Sequence, residues 1–406
     1  MIAEIYDDFF APRMSRFAPS ATTGMSHRAR EMIHAGIDVI TLSSGEPDFE
    51  TPAHICEAAK TAIDAGYTKN TNIDGMPELK EAVIRKFQRE NGITYSASQI
   101  SVGTGAKQVI FNALLVTVGK GDEVIIPAPF WVSYPDMVQV AGGEPIFVPT
   151  RPDRGFVLDA EDLEHAITAR TKWLIINNPG NPSGAVWDRE SLRQIADVLV
   201  RHPKVWVLTD DIYEHLVYDN AVVTAFAAIA PELTDRILTV NGLSKGYCMT
   251  GWRIGFAGGP VALIGAMRKL QSQSTSSPNT IAQHAAVAAL DGPREFMIPN
   301  RTRFKKRRDM VVGRINNMPR LSCRTPRGAF YAFADCFGVM DCKTPFGHTL
   351  RSDVELCEYL LNRHHVALVP GSAFGMPGHF RISYATSDEV LWRACDRIEG
   401  AMNMLS

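Results

Sequence analysis

A chain of 406 residues, 45% apolar and 21% charged, is long enough for a large core and has the make-up of an ordinary globular enzyme. Its formal net charge of −2 gives no overall pull toward nucleic acid or an anionic membrane. The seven cysteines are odd in number, scattered and never paired as Cys-x-x-Cys, so they read as thiols in a reducing compartment rather than as a disulfide framework or a metal site.

The first residues, Met1-Ile2-Ala3-Glu4-Ile5-Tyr6-Asp7-Asp8, are acidic and lack both a basic and an apolar region, so no secretory signal is expected. No apolar run approaches the ~20 residues of a membrane span, and a cytoplasmic protein is expected. Gly45-Glu46-Pro47-Asp48 reads as a turn at which a large domain begins. Beyond it, Val124-Ile125-Ile126, Trp173-Leu174-Ile175-Ile176, Val205-Trp206-Val207-Leu208 and Ile237-Leu238-Thr239-Val240 are strand candidates. Between the second and third, Leu192, Ile195, Ala196 and Leu199 recur at helical spacing and predict a helix with one apolar stripe. Strands apolar at consecutive positions and alternating with helices predict an α/β fold with a mostly parallel sheet covered on both faces.

Polar residues punctuate those strands. Asn177-Asn178 follows the second, Asp210-Asp211 the third, and Lys245 comes soon after the fourth. Ligands of open α/β sheets bind beyond the carboxyl ends of strands, so an amide, a carboxylate and an amine are expected on one rim. Lys245 lies in Ser244-Lys245-Gly246-Tyr247, eight residues before Arg253 of Gly251-Trp252-Arg253-Ile254-Gly255. That is the setting of a lysine that forms a Schiff base with a cofactor aldehyde, with an arginine suited to a phosphate behind it.

Farther on, Arg301-Thr302-Arg303-Phe304-Lys305-Lys306-Arg307-Arg308 reads as the solvated face of a helix rather than a nucleic-acid patch. Past residue 310 a helix around 354–361, a strand Val366-Ala367-Leu368-Val369, a Pro370-Gly371 turn and a strand Phe380-Arg381-Ile382-Ser383 suggest a smaller α+β domain. The expected division is a large domain over 46–305 and a small one formed by 1–45 plus 306–406.

Over essentially the whole chain, five motifs in order and spacing resemble the class I pyridoxal-phosphate aminotransferases. They are Gly45-Glu46-Pro47-Asp48-Phe49, Asn178-Pro179-Gly180-Asn181-Pro182-Ser183-Gly184, Asp210-Asp211-Ile212-Tyr213-Glu214, Ser244-Lys245 with the Arg253 motif, and Arg381-Ile382-Ser383-Tyr384. The branch most resembled holds the bacterial aspartate and aspartate/prephenate aminotransferases. The resemblance implies the fold-type I architecture, pyridoxal 5'-phosphate as cofactor, and transfer of an amino group from an acidic amino acid to 2-oxoglutarate by a ping-pong mechanism.

It also implies roles. Lys245 joins the cofactor aldehyde and, once freed, shuttles the proton. Asp210 faces the pyridine nitrogen; Asp211 is the competing candidate, but adjacent strand residues point to opposite faces. Tyr213 and Asn181 donate to the cofactor's phenolate oxygen. Gly105, Ala106 and Lys107 open a helix whose N-terminus, with Ser244 and Arg253, takes the phosphate. Trp131 stacks on the cofactor ring and, with Asn181, borders the substrate. Arg381 grips the α-carboxylate, and Gly45 lets the backbone approach substrate closely. Lys107, Ser20 and Thr22 face a distal carboxylate, which favours L-aspartate. Asn181-Pro182 is expected to be cis.

Three departures stand out. Asn70 replaces a tyrosine that in relatives reaches the neighbouring subunit's phosphate, Ala18 a lysine of prephenate-active relatives, and Phe130 a frequent tyrosine. With Ser272-Gln273-Ser274-Thr275-Ser276-Ser277-Pro278, the Asn70 position implies a homodimer with shared sites. Aromatic or prephenate specificity and a carbon–sulfur β-lyase on the same fold stay open as alternatives. A pyridoxal-binding regulator would need a DNA-binding module, and none fits before Gly45.

Overall fold

The computed structural model of the chain describes residues 9–17 and 21–406, and side chains except those of residues 21–23. Its strands in chain order are β1 (Ile40–Thr41), β2 (Ile100–Thr104), β3 (Glu123–Ala128), β4 (Glu144–Pro149), β5 (Thr171–Asn177), β6 (Trp206–Asp210) and β7 (Ile237–Gly242). They continue as β8 (Ile254–Gly258), β9 (Ser322–Cys323), β10 (Tyr331–Asp335), β11 (Val366–Ala367), β12 (Val369–Pro370) and β13 (His379–Ser383). Seven of them form one sheet in the order β2-β8-β7-β6-β5-β3-β4, parallel except at β8. The four expected strands lie side by side within it. β2, β4 and β8 are additional, and β8 runs antiparallel to both its neighbours.

The continuous apolar runs are explained by burial on both faces. Leu174, Ile176 and Val207 enter one hydrophobic cluster, while Trp173, Ile175 and Leu208 enter another on the opposite face. The predicted amphipathic helix is Arg189–Arg201, with Leu192, Ile195, Ala196 and Leu199 buried and Asp188 accepting the Ser191 amide at 2.8 Å as its N-cap.

A second body of structure is built on the antiparallel sheet β12-β13-β10-β9, with β1 and β11 paired in parallel beside it. Val311, Phe330, Leu360, Ile382 and Ile398 share its core. Residues 40–42 join this part through β1 and through the Ser383 amide, which donates to the Leu42 carbonyl at 2.9 Å.

Two expectations are corrected. The run Val366-Ala367-Leu368-Val369 is not one strand, because Val366 and Ala367 pair with β1 whereas Val369 pairs with Arg381 in the other sheet. Nor is the basic stretch simply a solvated face. In helix Met297–Asn317, Phe304, Arg307, Arg308 and Val311 fall on one side and are buried together. Arg307 donates to Asp48 and Asp388, and Arg308 to Asp219, Asp309 and the Pro326 carbonyl, so both cations are neutralised where they lie. All seven cysteines are free thiols. No helix among the described residues is long and apolar enough to cross a membrane.

Candidate active site

Because β5, β6 and β7 are parallel neighbours, their carboxyl ends deliver Asn177, Asp210 and the Ser244-Lys245 segment to one rim. The N-terminus of helix Ala106–Thr117 closes one side, and Tyr331 of β10 and Arg381 of β13 reach in from the smaller sheet. The result is a cavity of about 200 Å³. Gly45, Ala106, Lys107, Trp131, Asn181, Tyr213, Ser244 and Arg253 also line it. Most of the sequence-predicted residues are thus brought together, although they come from segments spread along the chain.

Lys245 Nζ donates to the Gly45 carbonyl at 2.5 Å. Enclosure by the cavity walls is the largest influence on its amine and lowers the pKa to about 8, with Glu46 opposing and Arg253 and Arg381 reinforcing. A reactive neutral amine is therefore accessible near neutral pH. Asp210 accepts from the Tyr134 hydroxyl at 2.7 Å and from the Ile212 amide at 3.3 Å. Burial pushes its carboxyl up while the Tyr134 hydrogen bond pulls it down. Asp211 turns away from the cavity. It is buried near Glu214, its Oδ2 has no hydrogen-bond partner among the described residues, and burial raises its pKa well above the usual range.

The amide that faces the cavity is Asn177; Asn178 points elsewhere and bonds the Trp187 backbone. Asn177 shapes the loop by donating to the Asp210 carbonyl at 2.8 Å and accepting the Asn181 amide at 2.8 Å. The Asn181-Pro182 bond is cis, as expected.

Arg253 Nη1 donates to the Thr250 carbonyl at 2.8 Å, and no carboxylate pairs with it among the described residues. Its guanidinium lies over Gly105, occupying the place of a side chain, and Gly105 itself sits at φ +83°. Fork and helix start are thereby held side by side. Lys107, from the first turn of that helix, places Nζ 4.8 Å from the Trp131 ring centre. Burial lowers its pKa, and Arg253 adds to the effect.

Arg381 is 2% exposed. Nη1 donates to Asn181 Oδ1 at 2.9 Å and Nη2 to the Ser43 carbonyl at 2.6 Å, while Nε has no partner. No carboxylate pairs with this buried cation among the described residues, an arrangement that is costly unless an anionic ligand completes it.

Some expected residues lie elsewhere. Ala18 and Ser20, and the side chain of Thr22, fall outside the described residues. Asn70 is exposed and does not line the cavity; its segment lies beside the serine-rich stretch, with the Thr71 amide bonded to Ser277 Oγ at 3.4 Å. Phe130 stacks on Phe147 with centroids 4.8 Å apart. Tyr134, Ser43 and Tyr331 belong to the cavity without having been singled out. Tyr134 carried a signal, three residues past Trp131; Ser43 and Tyr331 enter only through tertiary packing.

The donor set fits pyridoxal phosphate. It offers a free amine, a buried carboxylate, an aromatic wall, a phenol, and an arginine beside a helix N-terminus whose glycine leaves room for it.

Residues 37–398 match the family model described as "Aminotransferase class I and II". The chain is 53% identical over 391 residues to the aspartate/prephenate aminotransferase of Cereibacter sphaeroides, covering 96% of this chain and 98% of that one. It is 50% identical over 396 residues to the aspartate aminotransferase of Rhizobium meliloti, covering 98% and 97%. The crystal structure of an aspartate aminotransferase from Rhizobium meliloti superposes with a TM-score of 0.96 at 50% identity over 98% of this chain and 99% of that one. That of the Thermus thermophilus aspartate aminotransferase with maleate superposes with 0.90 at 41% identity over 97% and 99%.

Proposed function

The chain belongs to the class I and II aminotransferases and is a pyridoxal-phosphate-dependent enzyme; on that premise we propose that it moves the amino group of L-aspartate to 2-oxoglutarate in a ping-pong sequence. The observation that carries this reading is the buried Arg381, which has no carboxylate partner among the described residues, on the wall of the cavity that holds Lys245. An α-carboxylate bound there in a fork presents Cα to the Lys245 amine. Lys107 offers a second cation for a distal carboxylate, which favours a dicarboxylic substrate.

Pyridoxal phosphate, when bound, supplies an aldehyde that condenses with amines and a ring that takes up the electron pair left at Cα. Arg253 and the start of helix Ala106–Thr117 hold its phosphate, and Asp210, oriented by Tyr134, holds a proton at the ring nitrogen. Asn181 gives its Oδ1 to Arg381, so its Nδ2 is free to donate toward the ring oxygen together with Tyr213. Trp131 covers the ring. Lys245 stands where its amine would take the proton from Cα of a bound substrate and hold it for return.

The name of the Cereibacter relative favours a second reading, in which prephenate is an acceptor. Ala18 counts against it. We also infer the division into 46–305 and 1–45 plus 306–406, because Arg381 stands on one part and Lys245, Asp210 and Arg253 on the other, so closure of the small part would complete the site. A homodimer with shared sites, in the cytoplasm, completes the proposal.

The test is spectroscopic. The purified protein should show a near-visible absorbance band that L-aspartate removes and 2-oxoglutarate restores. Lys245→Ala should lose about 10³-fold in turnover, the scale of a general base. If that variant still holds the cofactor through an imine, Lys245 is wrongly assigned. A panel of amino donors against 2-oxoglutarate, oxaloacetate and prephenate separates the two readings.

A further inference from the structure

Tyr331 opens β10 opposite Ser383, which sets it diagonally across from Arg381 on the same face of the sheet. Its ring lies 4.5 Å beneath the Arg381 guanidinium, and its hydroxyl is 2.9 Å from that of Tyr213. Both tyrosines are buried, and neither hydroxyl makes a second hydrogen bond among the described residues. A Cβ on Gly45 would come within 2.6 Å of the Tyr331 hydroxyl oxygen and 4.0 Å of Lys245 Nζ. Gly45 is therefore required by Tyr331 itself, in addition to any approach of substrate.

A phenol has one proton to give. If Tyr213 spent its proton on Tyr331, it would present a lone pair to an anionic ring oxygen. If Tyr331 donates, Tyr213 keeps its proton, and its O–H is polarised and aimed by the bond it accepts. We propose that Tyr331 is a positioning residue that donates to Tyr213, so that Tyr213 donates to the cofactor's ring oxygen, while the ring of Tyr331 carries Arg381 under the substrate carboxylate. This rests on the reading given under Proposed function. One side chain thereby ties the cofactor oxygen to the carboxylate site, across segments 118 residues apart.

The test is a pH titration of the holoenzyme's absorbance. The charged and titratable groups facing the two phenols are Arg381, Lys245, Asp210 and Glu46, and none is altered in the variants used. A donor at the ring oxygen withdraws negative charge that would otherwise hold the neighbouring imine proton. Weakening that donor should raise the midpoint. Tyr331→Phe is expected to raise it by about one pH unit, a tenfold change in proton affinity. Tyr213→Phe should raise it at least as much, and the double variant should match Tyr213→Phe to within about a third of a unit. Tyr331→Phe keeps the ring, so its affinity for a dicarboxylate inhibitor should stay within about twofold, whereas Tyr331→Leu should lose about tenfold.

An unmoved midpoint in Tyr331→Phe, or shifts of the two single variants that add, would overturn the inference while leaving the broader reading in place. A wild-type protein with no titrating absorbance would overturn both. Retained inhibitor affinity is the check that Tyr331→Phe is folded, since a merely disturbed site would lose it together with the midpoint, and the urea midpoint serves the same purpose for Tyr331→Leu and the Tyr213 variants.

Discussion

Gly255 on β8 has a reason that its place in a motif does not reveal: a Cβ there would fall on the Ala106 amide nitrogen, at the first turn of the helix that faces Arg253. Both surfaces are backbone, so no side-chain rotamer can relieve the overlap. Gly255→Ala should cost about 1–3 kcal/mol and weaken cofactor binding at least about tenfold, because the displaced turn carries the phosphate donors. Gly265→Ala is the control, since a Cβ at Gly265 in helix Val261–Ser272 meets open space. Urea midpoints and fluorescence titration of the apoprotein with pyridoxal phosphate measure both. A Gly255→Ala protein with wild-type affinity would mean that the helix start does not hold the phosphate. Residues differ in how far the sequence betrayed them. Lys245 announced itself by its neighbours, whereas Tyr331 gave no signal, because its partners Tyr213 and Arg381 are close only in space.

At the scale of elements, the turn after β6 rests on a buried charge cluster. Lys86, at the end of helix Pro77–Lys86, is 1% exposed and pairs with Glu214, which also accepts from Asn91 at 2.6 Å and Asn241 at 2.8 Å. Glu90 lies against His215, Arg89 and Arg294. Glu90, Glu214 and His215 bring ligand-type atoms within 4.8 Å of one another, and the chain's own cations balance them. Lys86→Met should destabilise by about 3 kcal/mol, because Glu214 is left buried without its counter-charge.

The same cluster predicts an acid edge. Burial pushes the Glu90 carboxyl up, but the His215 hydrogen bond and the Lys86 charge outweigh it and bring the pKa down to about 2 from the usual 4.5. In that interval the unfolded chain binds more protons than the native one. The stabilising contribution of Glu90 is therefore full above 4.5 and lost as pH falls through about 2. Urea midpoints measured across this range should fall in the wild type and fall less in Lys86→Met, and parallel curves would rule out the coupling. Apolar patterning found four parallel strands of the large sheet and the helix Arg189–Arg201, and it missed the outer parallel strand β4. It could not tell that Val366 and Val369 serve different sheets, since each short run satisfies the same apolar pattern.

For the whole molecule, the exposed Asn70 segment lies beside Ser277, and an open hollow near Arg253 is bordered by Phe49, Trp252 and Asn279. The proposed homodimer would cover them. Sedimentation equilibrium at micromolar concentration should give twice the chain mass, and activity should fall on dilution below the dimer's dissociation constant. A fully active monomer would contradict the shared site. The sequence by itself determined the fold class and four neighbouring strands of the large sheet, and its resemblance to the aminotransferases pointed to Lys245, Asp210 and Arg253 as members of one site. The first two follow from apolar runs and their spacing, and the third from motifs that occur in the order and spacing of that family. Only the tertiary structure decided that Asn177 rather than Asn178 faces the cavity, that Arg307 and Arg308 are buried, and that Tyr331 joins Tyr213 to Arg381. Those outcomes depend on which segments meet in space, and a one-dimensional pattern carries no record of distances between residues more than 100 positions apart.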